Sequence, residues 1–353
     1  MKHVIYEAFA HAIGRLASCS PHAGKMFQHV DVVINPAAGG FARRRKLKPA
    51  LEVAVRRADE HPSTDVLPYT MHMTQYPLHG RVVGRELLET IRTDETPRLI
   101  VIAGGDGTHS EVMSALVGLP YDLSRRFHVF RVPMGSGNDG ADAFDIEAAC
   151  RTLFGSSHAI LIPAVRVTAA GLEPMYSFNV ASLGIDAFIT GTVNKLKKVL
   201  PGDAYKIPAD LATLFYGPVY GVGEMSVSLG PAGAPSEVLE DRFILVAVGA
   251  SGHRTYGDHK RILPGDENVC AIRTDSLFKR IALKSRIYTG EHTSDPLVTM
   301  RIADRIEVRY SRRIAVQCDG EAVWLGPENF PVVFERLDDV VPAIHAIETQ
   351  AHA

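Results

Sequence analysis

The sequence predicts two domains: an N-terminal α/β domain on a parallel sheet and a C-terminal antiparallel β-sandwich. Three observations predict this. A chain of 353 residues is long enough for about two hydrophobic cores. From Val30 to about residue 155, short apolar runs alternate with segments of helical period, the pattern of βαβ units. After Phe154 short runs bounded by Gly, Pro, Asn or Asp follow one another, which suits antiparallel pairing.

Residues 1–28 read as an amphipathic or irregular lead-in. "LASC" at 16–19 resembles a lipoprotein cleavage box, but Glu7, His11 and Arg15 interrupt the apolar core that a signal peptide needs, so export is not expected. Residues 29–155 then give "VDVVINP", a basic helical stretch to Glu60, "TDVLPYTM", "HGRVVGRELLETIR", "PRLIVIAGG", "HSEVMSALVG" and "FHVFRVPMG". Near-continuous apolar strands separated by helices call for a Rossmann-like parallel sheet covered on both faces. Residues 156–345 give "AILIPAVRVTAAG", "MYSFNVASLGIDAF", "EMSVSLG", "RFILVAVGA", "NVCAIRT", "TMRIADRIEVRYS", "RIAVQCDGEAVW" and "FPVVFERL", with a helical insertion near "YKIPADLATLFYGPVY" and a surface loop at "LGPAGAPSE".

Composition narrows the function. Hydrophobic residues make up 46% and charged residues 22%, and no apolar run reaches the ~18 residues of a membrane span. A formal net charge of −2 gives no bulk attraction to nucleic acid, so no nucleic-acid partner is expected. The four cysteines are scattered without a CxxC pair, which suits neither zinc nor a disulfide framework and fits a reducing cytosol. The 15 histidines include no ligand spacing, and His253 alone is worth testing. The basic run Arg43 to Lys48 suits either a solvated helix face or a site for acidic lipid or nucleotide phosphates.

Three glycine-bearing loops stand at predicted strand ends, where open parallel sheets bind ligands. In "NPAAGG", Asn35 to Gly40, the glycines let backbone N–H groups approach an oxyanion. In "GGDGT", Gly104, Gly105 and Gly107 permit a tight turn, Thr108 is expected to cap a helix beginning around His109, and Asp106 projects outward. In "PMGSGND", Gly135, Ser136 and Gly137 precede an Asn138–Asp139 pair suited to hydrogen bonding or to a magnesium shell. Any one of these is most simply a turn; three in successive strand-to-helix connections point to a phosphate-rich ligand. The chain has neither "GxxxxGK[ST]" nor a "GxGxxG" running from strand into helix.

In this order and spacing the three motifs resemble the catalytic domain of the diacylglycerol kinase and sphingosine kinase family, more distantly related to NAD kinases and phosphofructokinases. "FNVASLGIDA" (178–187) and "VQCDGEAV" (316–323) extend the resemblance from Val30 to about Pro342. It implies an ATP-dependent, Mg2+-using lipid kinase acting on diacylglycerol or a sphingoid base or ceramide-like acceptor. Such an enzyme would be cytoplasmic and dock transiently, as a peripheral protein, on the membrane holding its lipid. By the same resemblance Asp106 would orient the Mg–ATP phosphates, and Gly104, Gly105, Gly107 and Thr108 would form the cradle. Asn35, Gly39 and Gly40 would line the phosphate side, Glu111 would contact the nucleotide, and Gly135, Ser136, Gly137, Asn138 and Asp139 would complete the pocket. Asp319 would be the general base, Glu321 would support metal or nucleotide, and Asp186 would lie near the lipid head group unless it merely caps a hairpin turn. A second-domain magnesium site would fall to Asp266, although Asp258, His259 and Glu267 depart from the family's glycines there. An NAD kinase and a catalytically silent lipid- or nucleotide-binding protein are the alternatives, and the oligomeric state, a homodimer included, stays open.

Overall fold

The computed structural model describes residues 2–20, 23–42, 44–60, 66–135, 138–143, 145–155, 157–197, 221–231, 237–257 and 260–346. The chain divides into two compact units, one of residues 1–162 and 339–353 and one of residues 163–338.

The first unit is the parallel α/β domain. Strands β1 (His29–Ile34), β2 (Tyr69–Met73), β3 (Arg98–Gly104) and β4 (Phe127–Pro133) lie in the order β2-β1-β3-β4, all parallel, with Val32 beside Val101 and Val101 beside Phe130. All seven residues of β3 are buried, which is why the run carries no polar alternation. Helices α1 (Lys2–Ser18), α4 (Arg44–Glu60) and α8 (Ile146–Phe154) bury Phe9, Ile13, Leu16, Ala54, Ala58 and Leu153 against one face of the sheet, in a core with Val32, Val101 and Phe130. Helix α5 (His79–Thr93) packs against α6 (Asp106–Met113), which lies on β3. Short helices α2 (Ala23–Met26), α3 (Gly39–Ala42) and α7 (Tyr121–Ser124) complete this part.

Residues 2–18 form an amphipathic helix that packs into the core of the first unit. Phe9, Ile13 and Leu16 are fully buried, and each such side chain contributes about 1.5–3 kcal/mol by leaving water. Their i, i+4, i+7 spacing makes one stripe of a helix, and the polar residues that spoil a signal peptide are its other side.

The second unit is the antiparallel sandwich. One layer is formed by β5 (Ser157–Thr168), β6 (Met175–Ser177), β8 (Met225–Gly230), β9 (Glu237–Asp241), β15 (Arg305–Tyr310) and the first part of β18 (Val332–Ala346). The other runs β14-β13-β10-β7-β16-β17, from β14 (Val298–Arg301), β13 (Val269–Arg273), β10 (Phe243–Gly249), β7 (Val180–Gly184), β16 (Ile314–Cys318) and β17 (Glu321–Leu325). A separate ribbon pairs β11 (Arg254–Tyr256) with β12 (Lys260–Leu263). Val165, Val227, Ile306 and Phe334 from one layer meet Leu183, Val246, Val248 and Val316 from the other in a single core. Helix α9 (Ile185–Lys197) follows β7 directly, and α10 (Leu277–Thr289) buries Leu283 and Ile287 with Ala247, Cys270 and Ile272 on the outer face of the second layer.

Two boundaries differ from the sequence expectation. The units part after Ile162 rather than near residue 155, and residues 339–353 return to the first unit. The cause of the return lies in β18, where Ala343 pairs in parallel with Val129 of β4 and Val341, Ala343 and Ile344 are buried. The expected helical insertion at 205–220 and most of the loop at 229–237 lie outside the described residues. Among the described residues, no helix is long and apolar enough to cross a membrane.

Candidate active site

The three glycine loops of the first unit leave β1, β3 and β4 at their carboxyl ends and are bonded to one another. Asn35 Nδ2 donates to Thr108 Oγ1 at 2.8 Å, and Asn35 Oδ1 accepts from Ala37 N at 2.9 Å, so one side chain shapes the first loop and ties it to the second. Gly39 and Gly40 open α3, and Gly40 N donates to Met134 O at 2.8 Å, tying the first loop to the third. Met134 N donates to Gly104 O at 2.7 Å, which joins the third to the second. Glycine is required at two of these approaches. A Cβ on Gly40 would stand 2.8 Å from Met134 O, and one on Gly104 would stand 2.6 Å from Thr108 Cβ.

The helix after "GGDGT" starts earlier than expected. Gly105 is the N-cap in extended conformation (φ −103°, ψ −179°), Asp106 is the first helical residue, and Gly107 and Thr108 lie in the first turn. Thr108 is thus not the cap, and its hydroxyl serves Asn35 instead. Asp106 stands at a helix N-terminus, where the peptide dipoles favour negative charge. Its Oδ1 accepts from Gly140 N at 3.0 Å and its Oδ2 from Asp139 N at 3.3 Å. Asn138 Oδ1 accepts from Gly135 N at 2.7 Å; Ser136 and Gly137 lie outside the described residues.

Glu111 has a bond that its motif did not announce. Its Oε2 accepts from Gly80 N at 2.9 Å, in the first turn of α5. That helix has no side-chain cap of its own, its N-cap being Leu78 at φ 66°, so Glu111 supplies one from α6.

Sequence reasoning missed a buried ion pair beneath these loops. Arg131 on β4 and Asp142 are 6% and 5% exposed, and the guanidinium and backbone N–H of Arg131 converge on the Asp142 carboxylate. The signal was available: an arginine inside an apolar strand must find a partner. His109 on α6 is buried beside them. Burial, then the Arg131 cation, push its imidazole down to about 4, so it is neutral at physiological pH.

In the second unit Asp319 and Gly320 form a two-residue hairpin turn between β16 and β17, with φ 45° and 92° and Cys318 facing Glu321. Asp-Gly is a preferred pair for such a turn. The Asp319 carboxylate, 9% exposed, accepts from Ser177 Oγ at 2.6 Å and Asn179 N at 3.1 Å on one oxygen and from Phe178 N at 2.6 Å on the other. Three donors suit an ionised, fixed carboxylate. Glu321 is the first residue of β17, half-buried.

Asp186 lies in the first turn of α9, not in a hairpin. It accepts from Ser182 Oγ at 2.7 Å and from Gln317 Nε2 at 3.3 Å, and burial pushes its carboxyl above the usual range. Gln317 Oε1 accepts from Gly320 N at 2.9 Å, so this amide links Asp186 to the Asp319–Gly320 turn. Asp266 is placed differently from a buried metal ligand: its side chain is 89% exposed and pairs with His253 Nε2 at 2.8 Å. Among the described residues no three metal-ligating side chains gather at one point, around Asp266 or elsewhere. The fit to magnesium therefore rests on Asp106, because Mg2+ is commonly held by one or two carboxylates, with phosphate oxygens and water completing its shell.

Residues 29–162 match the family model of the diacylglycerol kinase catalytic domain. The chain is 25% identical over 261 residues to a diacylglycerol kinase of Bacillus subtilis (strain 168), covering 69% of this chain and 78% of that protein. It is 34% identical over 131 residues to a protein named "Probable lipid kinase YegS-like" from Xanthomonas euvesicatoria pv. vesicatoria (strain 85-10), covering 36% of this chain and 40% of the relative. The fold is that of a crystal structure of a diacylglycerol kinase from Bacillus anthracis str. Sterne, with a TM-score of 0.56 at 15% identity over 91% of this chain and 97% of that one. Residues 29–162 of this chain are thus similar to the catalytic domain of diacylglycerol kinases, and the relatives indicate a phosphotransferase that acts on a lipid hydroxyl.

Proposed function

We propose that this protein transfers the γ-phosphate of ATP, with Mg2+, to the hydroxyl of a diacylglycerol or sphingoid acceptor, working at the surface of the membrane that holds the lipid. The observation that carries the reading is the carboxylate of Asp106, at the start of a helix and bonded to the backbone of the third glycine loop. Phosphoryl transfer asks a protein mainly for alignment and for neutralisation of charge on the phosphates. The N–H groups in the first turn of α6, which the loop Gly104–Thr108 opens, supply donors for the phosphate oxygens, and Asn35 of the first loop and Asp139 and Gly140 of the third hold that turn in place. Asp106 is the residue to hold Mg2+, which when bound supplies positive charge against those oxygens. Asp319, fixed by three donors, takes the proton from the lipid hydroxyl. Glu321 adds a second carboxylate for metal or nucleotide, and Asp186 orients the acceptor head group.

The test is incubation with radiolabelled ATP and Mg2+ against micelles of diacylglycerol, sphingoid base and ceramide in turn, followed by lipid extraction. Label in the organic phase with one of these acceptors is the expected result. Label found only on added NAD, or ATP left intact with every acceptor, would overturn the reading.

A further inference from the structure

We propose that the buried pair Arg131–Asp142 is a positioning device: it fixes the third glycine loop so that the N–H groups of Asp139 and Gly140 stay on the Asp106 carboxylate. The proposal rests on the reading of these loops as the nucleotide-phosphate site.

Two charges in the interior of a domain are costly, and a buried ion pair is weak evidence for stability, since apolar residues of similar volume often serve as well. What apolar residues cannot give is a defined position for the backbone. Asp142 accepts from Arg131 N at 2.7 Å, from Arg131 Nε at 3.1 Å on each oxygen and from Nη2 at 2.6 Å, while Asp142 N donates to Arg131 O at 3.2 Å. The far end of the loop is thereby fastened to β4, two residues before the strand ends at Pro133. The near end is fastened by Met134 N on Gly104 O. Between the fastenings, a turn in which Ala141 N donates to Asn138 O at 3.2 Å presents Asp139 N and Gly140 N to Asp106. The pair also reaches the helix that bears Asp106, because the buried ring of His109 feels both of its charges. A loop held at one end only would let its N–H donors swing off Asp106 and leave that carboxylate without an orientation.

Two variants of the full chain separate positioning from mere packing: Asp142→Asn, and the double variant Arg131→Met with Asp142→Leu. Equilibrium binding of Mg–ATP, the KM for ATP, the KM for the lipid acceptor and the melting temperature are read on each. The double variant is expected to melt within a few degrees of the parent yet to lose at least about tenfold in ATP affinity, since an ångström of misplacement can cost about a hundredfold, with the lipid KM unchanged. A folded double variant that binds ATP like the parent would overturn the proposal. Should the double variant not fold, Asp142→Asn decides: it keeps an acceptor for Arg131 N but loses the negative charge that faces the guanidinium, and parental ATP affinity there overturns the proposal equally. A parent chain that binds no ATP would instead overturn the phosphate reading itself.

Discussion

Gly40→Ala puts one methyl group where the first and third glycine loops meet. The added Cβ would lie 2.8 Å from Met134 O and 3.2 Å from Met134 C, both backbone atoms that cannot rotate aside. An ordinary carbon–oxygen contact is longer by roughly half an ångström, so the loops must separate by about that much. The Gly40 N to Met134 O bond, 2.8 Å in the parent, is then stretched or lost. Loss of one such bond costs about 1 kcal/mol, and overpacking adds about 1–3 kcal/mol. At about 2–4 °C per kcal/mol for a unit of this size, the melting temperature falls by roughly 4–16 °C. Because the loops hold the turn that carries the proposed phosphate donors, the KM for ATP rises about tenfold while the lipid KM holds. Scanning calorimetry and initial rates with varied ATP read both. Gly118→Ala is the control: its φ of 65° imposes strain, but nothing lies within 4 Å of the new methyl, so the unit loses stability without any change in ATP affinity. Parental melting and parental KM in Gly40→Ala would refute the reasoning.

Phe9→Ala removes a fully buried ring that meets Phe41 edge-on at 5.1 Å, and is expected to cost about 3–5 kcal/mol in urea unfolding; unchanged stability would show that α1 does not hold the first unit together. His109 titrates well below a free histidine, at about 4. Between there and the unfolded value near 6.5 the unfolded chain binds the extra proton, so this group's contribution is full above about pH 6.5 and is lost as pH falls toward 4. The loss at pH 5 is about 2 kcal/mol; His109→Gln is expected to lack that part of the parent's acid lability, and identical pH profiles for the two proteins would contradict it.

Much of this was legible in the chain. The apolar runs at 30–34, 98–104 and 127–133 are strands because both faces of a parallel sheet are covered. The three loops fall at strand ends because glycine is needed where backbones approach closely. What escaped depends on partners distant in sequence. The start of α6 at Asp106 rather than His109 follows from the extended Gly105, a choice no local propensity settles. Arg131 announces a buried partner but not that it is Asp142, and Glu111 gives no hint that it caps α5. The end of β18 reads like any other strand, and only its pairing with β4 assigns it to the first unit. The "DGE" motif concealed an ordinary hairpin turn, with the carboxylate of Asp319 held by the segment 177–179.

Phosphoryl transfer by Asp319→Asn tests the central claim most directly. Asn-Gly also suits this turn, so the hairpin survives, and placing an amide nitrogen among three donors costs about 1–3 kcal/mol. A cooperatively folded variant melting a few degrees lower, still binding Mg–ATP, but transferring phosphate to lipid about 10²–10⁴-fold more slowly, is the predicted result. Near-parental turnover by that variant would contradict the account.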